Sequence, residues 1–117
     1  HPIFREFRNM FYNNDGKKIV RSKSLKKITH PLALAIWFGD DGSKEKYSYR
    51  IATAAYSVTD IKKLIKWLKN RFKINSYLHK HGKYWYLSIR EDRWKFTKLI
   101  DPYLHKGLHY KLLKIKL

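Results

Sequence analysis

Two adjacent carboxylates, Asp40 and Asp41, close the apolar stretch "HPLALAIWFGDDGSK" at residues 30 to 44. Acids at the C-terminal end of a helix oppose its macrodipole by a few tenths of a kcal/mol each, so something should compensate them. A divalent cation would. Oxygen donors of this kind, in a strongly basic chain, are what Mg²⁺-assisted phosphodiester cleavage requires: the ion holds the phosphate, neutralises the charge building on it and activates a water. The pair Asp40 and Asp41 is therefore a candidate metal-binding and catalytic site.

The elements that must position these acids can be read from the pattern. Thr29 or His30 can cap a helix, Pro31 suits its first turn, and Gly42 fits a left-handed stop. Residues 3 to 12 place aromatic side chains on one helical face, residues 13 to 18 form a turn, and residues 19 to 29 read as an extended linker. Residues 45 to 56 read as one strand or a bent hairpin. Residues 57 to 72 carry the clearest helix, with Ser57 and Asp60 as a capping box and Ile61, Leu64, Ile65, Leu68 and Phe72 at helical spacing. A hairpin over residues 76 to 90 turns at His81-Gly82, a helix over 91 to 104 is interrupted by Pro102, and a basic tail follows. This order predicts an α+β domain, with helices packed on one face of an antiparallel sheet.

Alternation along the hairpin puts Leu78, Trp85, Leu87 and Ile89 against the helices. The other face holds Tyr77, His79, Tyr84, Tyr86, Ser88 and Arg90, and the preceding strand adds Lys46, Ser48 and Arg50. Lys80 and Lys83 flank the turn. Such a face is aromatic, cationic and rich in hydrogen-bonding groups. It suits phosphates and base edges in a groove of double-stranded DNA. An ordinary solvated sheet face is the plain alternative.

Composition supports a polyanionic partner. The 117 residues carry 27 Lys and Arg against nine Asp and Glu, a formal net charge of +18 spread along the chain. Nucleic acid is the expected partner, and no membrane is expected, because no apolar run approaches the length of a span. Cys is absent, which excludes disulfides and thiolate metal sites. Gln is also absent, while Lys, Ile, Leu and Tyr are abundant, a bias resembling hyperthermophile usage. The chain starts at His1, as a processed chain or a piece of something longer would.

"LAIWFGDDG" at residues 34 to 42 resembles the LAGLIDADG motif of homing endonucleases. The "GKKIV" at residues 16 to 20 and the closing "HYKL" at 109 to 112 match the same subfamily in order. The resemblance implies a half-domain, residues 29 to 117, preceded over residues 1 to 28 by the end of an earlier repeat and a linker. It implies that two such motif helices pack together, here through Leu34, Ala35, Ile36, Gly39 and Asp40. It assigns metal binding and catalysis to Asp41, with the carbonyl of Asp40 or Gly42 as a further ligand, and catalytic roles to Lys111 of this half and Lys18 of the preceding one. It implies Mg²⁺, or another divalent cation such as Mn²⁺ or Ca²⁺, as cofactor. Its target would be double-stranded DNA with a long recognition site, met inside the cell in cytoplasm, nucleoid or organelle.

Family members keep small residues where the paired helices touch, whereas this chain has Ile36 and Asp40. Two copies would set Ile against Ile and Asp against Asp, so a different half is the expected mate and a homodimer is disfavoured. An isolated half should then cut little. Two rival functions share the scaffold: an intron RNA maturase and a catalytically inactive DNA-binding protein.

Overall fold

The computed structural model describes residues 20, 22–53 and 56–114. The readings made for residues 1 to 19, including the first helix, the turn after it and Lys18, lie outside the described residues. Helix α1 spans Ser22–Lys27 and helix α2, the motif helix, spans Pro31–Asp41. Strands β1 (Gly42–Lys44) and β2 (Tyr49–Ile51) follow, then helix α3 (Val58–Trp67), which ends in a π-helical turn, Leu68–Phe72. Strands β3 (Tyr77–His81) and β4 (Tyr84–Ile89) lead into helix α4 (Arg93–Ile100) and two 3₁₀ turns, Asp101–Tyr103 and Lys106–Lys111. The sheet is antiparallel throughout, in the order β1-β2-β4-β3, and the helices cover one face. This is the expected α+β architecture.

Local chemistry sets most boundaries. His30 caps α2 by accepting the Leu32 N–H at 3.0 Å, and Pro31 occupies the first turn, where its missing N–H costs nothing. Ser57 caps α3 by accepting the Asp60 N–H at 3.1 Å. Ile61, Leu64, Leu68 and Phe72 are buried as their spacing predicts, with Ile65 half-buried beside them. Pro102 follows the end of α4 at Ile100.

Four expectations are corrected. The linker over 19 to 29 contains α1, and Val20, Leu25 and Ile28 are all buried in the common core. Gly42 is not a left-handed stop: its φ of −91° and ψ of 155° are extended, and α2 passes into β1 with no loop. Glycine is required there for space, because a Cβ would land on the Phe38 ring and against the Phe38 carbonyl. The preceding hairpin accordingly begins at Gly42 rather than residue 45. Finally, the second hairpin turns at Gly82-Lys83, with Gly82 at φ +60°. Its pairs are Leu78 with Leu87 and Tyr77 with Ser88. That displacement moves each partner by two residues, so every side chain keeps its expected face; a slip of one would have exchanged them.

The core is built on α2. Trp37 and Phe38 are fully buried, and Phe38 meets Tyr49 and Phe96 edge-on at centroid distances of 5.0 and 5.7 Å. Trp37 lies 6.2 Å from Trp67, whose ring is edge-on to Phe72 at 5.3 Å. Aromatic pairs of this geometry fix the rotation of α2 about its axis.

Candidate metal centre and nucleic-acid interface

Because α2 is pinned by Trp37 and Phe38, its remaining arc is also fixed. Ala33, Leu34 and Ala35 are at most 2% exposed inside the chain's own core. Leu34 and Ala35 therefore offer nothing to a partner helix, contrary to expectation. Leu32, Ile36 and Gly39 are half-buried and Asp40 is exposed, and together they occupy one arc of the helix. Gly39 looks toward its own C-terminal segment, where a Cβ would sit 3.1 Å from Leu108 Cδ1.

The acids stand at the point where α2 becomes β1. Asp41 is half-buried, and its carbonyl accepts the Ala52 N–H at 2.9 Å, tying the helix end to the strand β2 side. Lys111 arrives from the last 3₁₀ turn, 69 residues beyond Gly42 in sequence. Its ammonium donates to the carbonyls of Gly39, at 2.9 Å, and Gly42, at 3.1 Å. A cation thus caps the helix end that the sequence leaves acidic. The segment bearing Lys111 is itself anchored. The Leu113 N–H donates to the Tyr49 hydroxyl at 2.9 Å, and that hydroxyl contacts Thr97 Oγ1 at 2.6 Å. Thr97 in turn donates to the Arg93 carbonyl at 2.8 Å. Burial pushes the Tyr49 hydroxyl above its ordinary value and keeps its proton available to Thr97.

The donor set at this exit suits a hard cation. The Asp41 and Asp40 carboxylates and the Gly42 carbonyl are all oxygen donors, and one lone pair of that carbonyl is left after Lys111 takes the other. Among the described residues no group of three His, Cys, Asp or Glu side chains gathers as a metal site. Mg²⁺ needs less from a protein: one or two carboxylates, with substrate oxygens and waters completing its shell.

The open face of the sheet presents Ser43, Arg50, Ser88 and Tyr77 in one row and Tyr86 with His79 in the next. The Arg50 guanidinium lies 3.9 Å from the Tyr86 ring centroid, and the His79 ring is 5.0 Å from it on a shallow tilt. Tyr86 and Ser88, at 9% and 8% exposed, sit beneath these neighbours on the central strand β4. They support the surface and do not project from it, which corrects their expected role as contacts. Tyr77 and Tyr84 are 50% and 54% exposed and do project. Arg50 is 3.7 Å from Glu45, and its Nε is buried with no hydrogen-bond partner. Glu91 raises the Tyr77 hydroxyl above its ordinary value by charge repulsion of the phenolate.

Lys46 and Ser48 lie in the β1–β2 turn, Arg90 just past β4, and Lys80 and Lys83 at the hairpin tip, over the rings of Trp85 and Tyr84 at 5.6 and 5.5 Å. Lys80 pairs with Trp85 on the helix-side register, so it reaches the open surface only from the tip. His81 shares the open face with His79, and so does Ser43, which was missed from sequence. Alternation counted from the motif acids, rather than from residue 45, would have found Ser43. The same surface holds a concavity of about 330 Å³ between the β1–β2 turn and β3, lined by Lys46, Ser48, Tyr77, His79 and Arg90 together with Glu45 and Glu91.

Comparison with known proteins agrees with this arrangement. Residues 1–96 match the family described as the LAGLIDADG DNA endonuclease family. The chain is 32% identical over 112 residues to the cytochrome b mRNA maturase bI2 of Debaryomyces hansenii, covering 93% of this chain and 42% of that protein. It is 30% identical over 115 residues to the intron-encoded endonuclease ai4 of Dictyostelium discoideum, covering 93% and 72%. The structure of the homing endonuclease I-WcaI bound to its DNA recognition sequence superposes with a TM-score of 0.80 at 24% identity, over 90% of this chain and 50% of that one. The chain thus spans about two-fifths of the maturase and half of the solved structure. The acidic helix exit, the sheet order and the sequence matches converge: this chain belongs to the LAGLIDADG DNA endonuclease family.

Proposed function

We propose that this chain is one half of a divalent-metal-dependent, sequence-specific DNA endonuclease that makes double-strand breaks when paired with a second LAGLIDADG half. One observation carries the reading. The acidic end of α2 is held at the sheet's edge by Lys111, while an arc of the same helix, Leu32, Ile36 and Asp40, is left uncovered by the chain's own core. Asp41, with Asp40 or the Gly42 carbonyl, would hold a divalent cation, which would supply charge neutralisation on the scissile phosphate and a more acidic water. The chain's own residues do the rest. Arg50, Tyr77, His79 and Tyr84, with the lysines at the tip, hold the duplex. Lys111 holds the helix exit and places positive charge beside the site.

One half brings one motif end, whereas cutting both strands calls for two. The mate we propose is a different half, since a second copy would oppose Asp40 to Asp40. Supporting this, Asp40 is exposed on the uncovered arc. The test joins this chain to a complementary half and incubates the assembly with a library of duplexes and Mg²⁺. Cleavage lost on chelation and in Asp41→Asn is expected. Cleavage that survives Asp41→Asn removes that carboxylate from the mechanism. A second reading, an intron RNA maturase on the same scaffold, is favoured by the likeness to the cytochrome b mRNA maturase of Debaryomyces hansenii. Splicing assistance without metal-dependent DNA cleavage would select it.

A further inference from the structure

A second cationic surface lies on the helical side of the molecule, apart from the sheet's open face. Helix α3 packs on the sheet through Ile61, Leu64 and Leu68. Lys63, Lys66 and Asn70 lie roughly 150° around the helix from those residues at 3.6 residues per turn. They form one wall of a groove of about 560 Å³, with Lys26 of α1 and Arg71 on the other side and Leu25 and Trp67 as its floor. The groove is built, not incidental. The Trp67 Nε1 donates to the Ile28 carbonyl at 3.3 Å and Arg71 Nη2 donates to the Lys26 carbonyl at 3.3 Å, locking α1 to α3. Lys63 leans between Asp60, at 3.3 Å, and the Val20 carbonyl, at 3.4 Å. Lys26 and Lys66 are exposed, and among the described residues no acid lines the groove.

Lys62 and Lys66 stand four residues apart on α3 without an intervening acid, and like charges at that spacing destabilise a helix. A polyanion offsets that repulsion. We propose that this groove is a second nucleic-acid site, gripping phosphates of a strand other than the duplex lying on the sheet. Lys26 and Lys66 make the phosphate contacts, and the Trp67 and Leu25 floor meets the sugar or an unstacked base. The shared ligand chemistry is a phosphodiester backbone, and duplex DNA or folded RNA can each supply it. The proposal does not depend on cleavage.

The experiment is a bridging assay with the full chain. A 30-bp DNA duplex is immobilised, the protein is added in moderate salt, and capture of a labelled second duplex or a labelled RNA hairpin is measured. The comparison is Lys26→Gln/Lys66→Gln against Lys98→Gln/Lys106→Gln, which removes the same charge from exposed positions outside both surfaces. Each lost phosphate contact lowers the magnitude of the slope of log K against log salt by about 0.9, so between 50 and 200 mM salt the second binding step of the groove variant, which lacks two, should weaken about tenfold less than that of the parent. Capture of RNA alone assigns the groove to RNA, and capture of DNA alone or of both assigns it to DNA or to either backbone. Acetylation of Lys26 and Lys66 in the unmodified protein should also be suppressed by the second nucleic acid. No capture by the unmodified protein, or equal capture by the two variants, overturns the proposal.

Discussion

Replacing Lys111 with methionine keeps the length and apolar stem of the side chain and deletes only its ammonium. Two hydrogen bonds disappear, to the Gly39 and Gly42 carbonyls at 2.9 and 3.1 Å. A hydrogen bond from a charged donor contributes on the order of 1.5–3 kcal/mol when buried. Lys111 is only half-buried, so water recovers part of that for each carbonyl. A cation at a helix C-terminus adds about 0.3–1 kcal/mol. The expected net loss is about 2 kcal/mol, or roughly 8 °C in Tm for a domain of this size. Two further features make the claim specific. Lys111→Arg should recover part of the loss, because a cation within reach of the same carbonyls is restored. In the Asp40→Asn/Asp41→Asn background, Lys111→Met should cost measurably less, since fewer negative charges then crowd the helix end. Thermal and urea unfolding of the four variants provide the measurement. A Lys111→Met protein within about 0.5 kcal/mol of the parent would refute the idea that Lys111 holds the motif helix, leaving it only the role of a nearby charge.

Gly42→Ala should cost more than 3 kcal/mol or prevent folding, because backbone and ring at Phe38 cannot both retreat; circular dichroism and yield report it. Gly39→Ala, whose Cβ meets only the flexible end of Leu108 at 3.1 Å, should stay within about 1 kcal/mol of the parent by the same melt. Lys73, which ends the π-helical turn at φ +60°, should gain about 1 kcal/mol as Lys73→Gly, read as a rise in urea midpoint. Tyr49→Phe should lose about 1–2 kcal/mol by leaving the Leu113 N–H and Thr97 without their partner. The Tyr49 hydroxyl titrates higher folded than unfolded, so its contribution is complete below pH 10.0 and fades as pH rises through the folded value. An alkaline stability profile that keeps this decline in Tyr49→Phe would assign it to other groups.

Sequence alone determined the pieces whose cause is local. The His30-Pro31 start of α2, the Ser57 cap of α3 and the helical period of Ile61, Leu64, Leu68 and Phe72 each involve residues within a few turns of one another. The faces of the second hairpin were legible even though its turn was displaced, because side-chain direction depends only on parity. The motif "LAIWFGDDG" marked the family and the helix end where its acids stand.

Tertiary structure decided what depends on neighbours distant in the chain. Ala33, Leu34 and Ala35 look as apolar as Leu32 and Ile36, and only the docking of Trp37 and Phe38 against Trp67, Tyr49 and Phe96 shows which arc is used up by the core. Gly42 signals a helix stop in sequence, yet its reason is the Phe38 ring, whose position is set by packing. Tyr86 and Ser88 alternate onto the open face, but their place on a central strand covers them. Lys111 is one lysine among many until the fold carries it across 69 residues to the Gly42 carbonyl, and the groove between α1 and α3 exists only once those helices meet. Propensity and period act over a few residues, whereas burial and charge convergence are properties of the assembled surface.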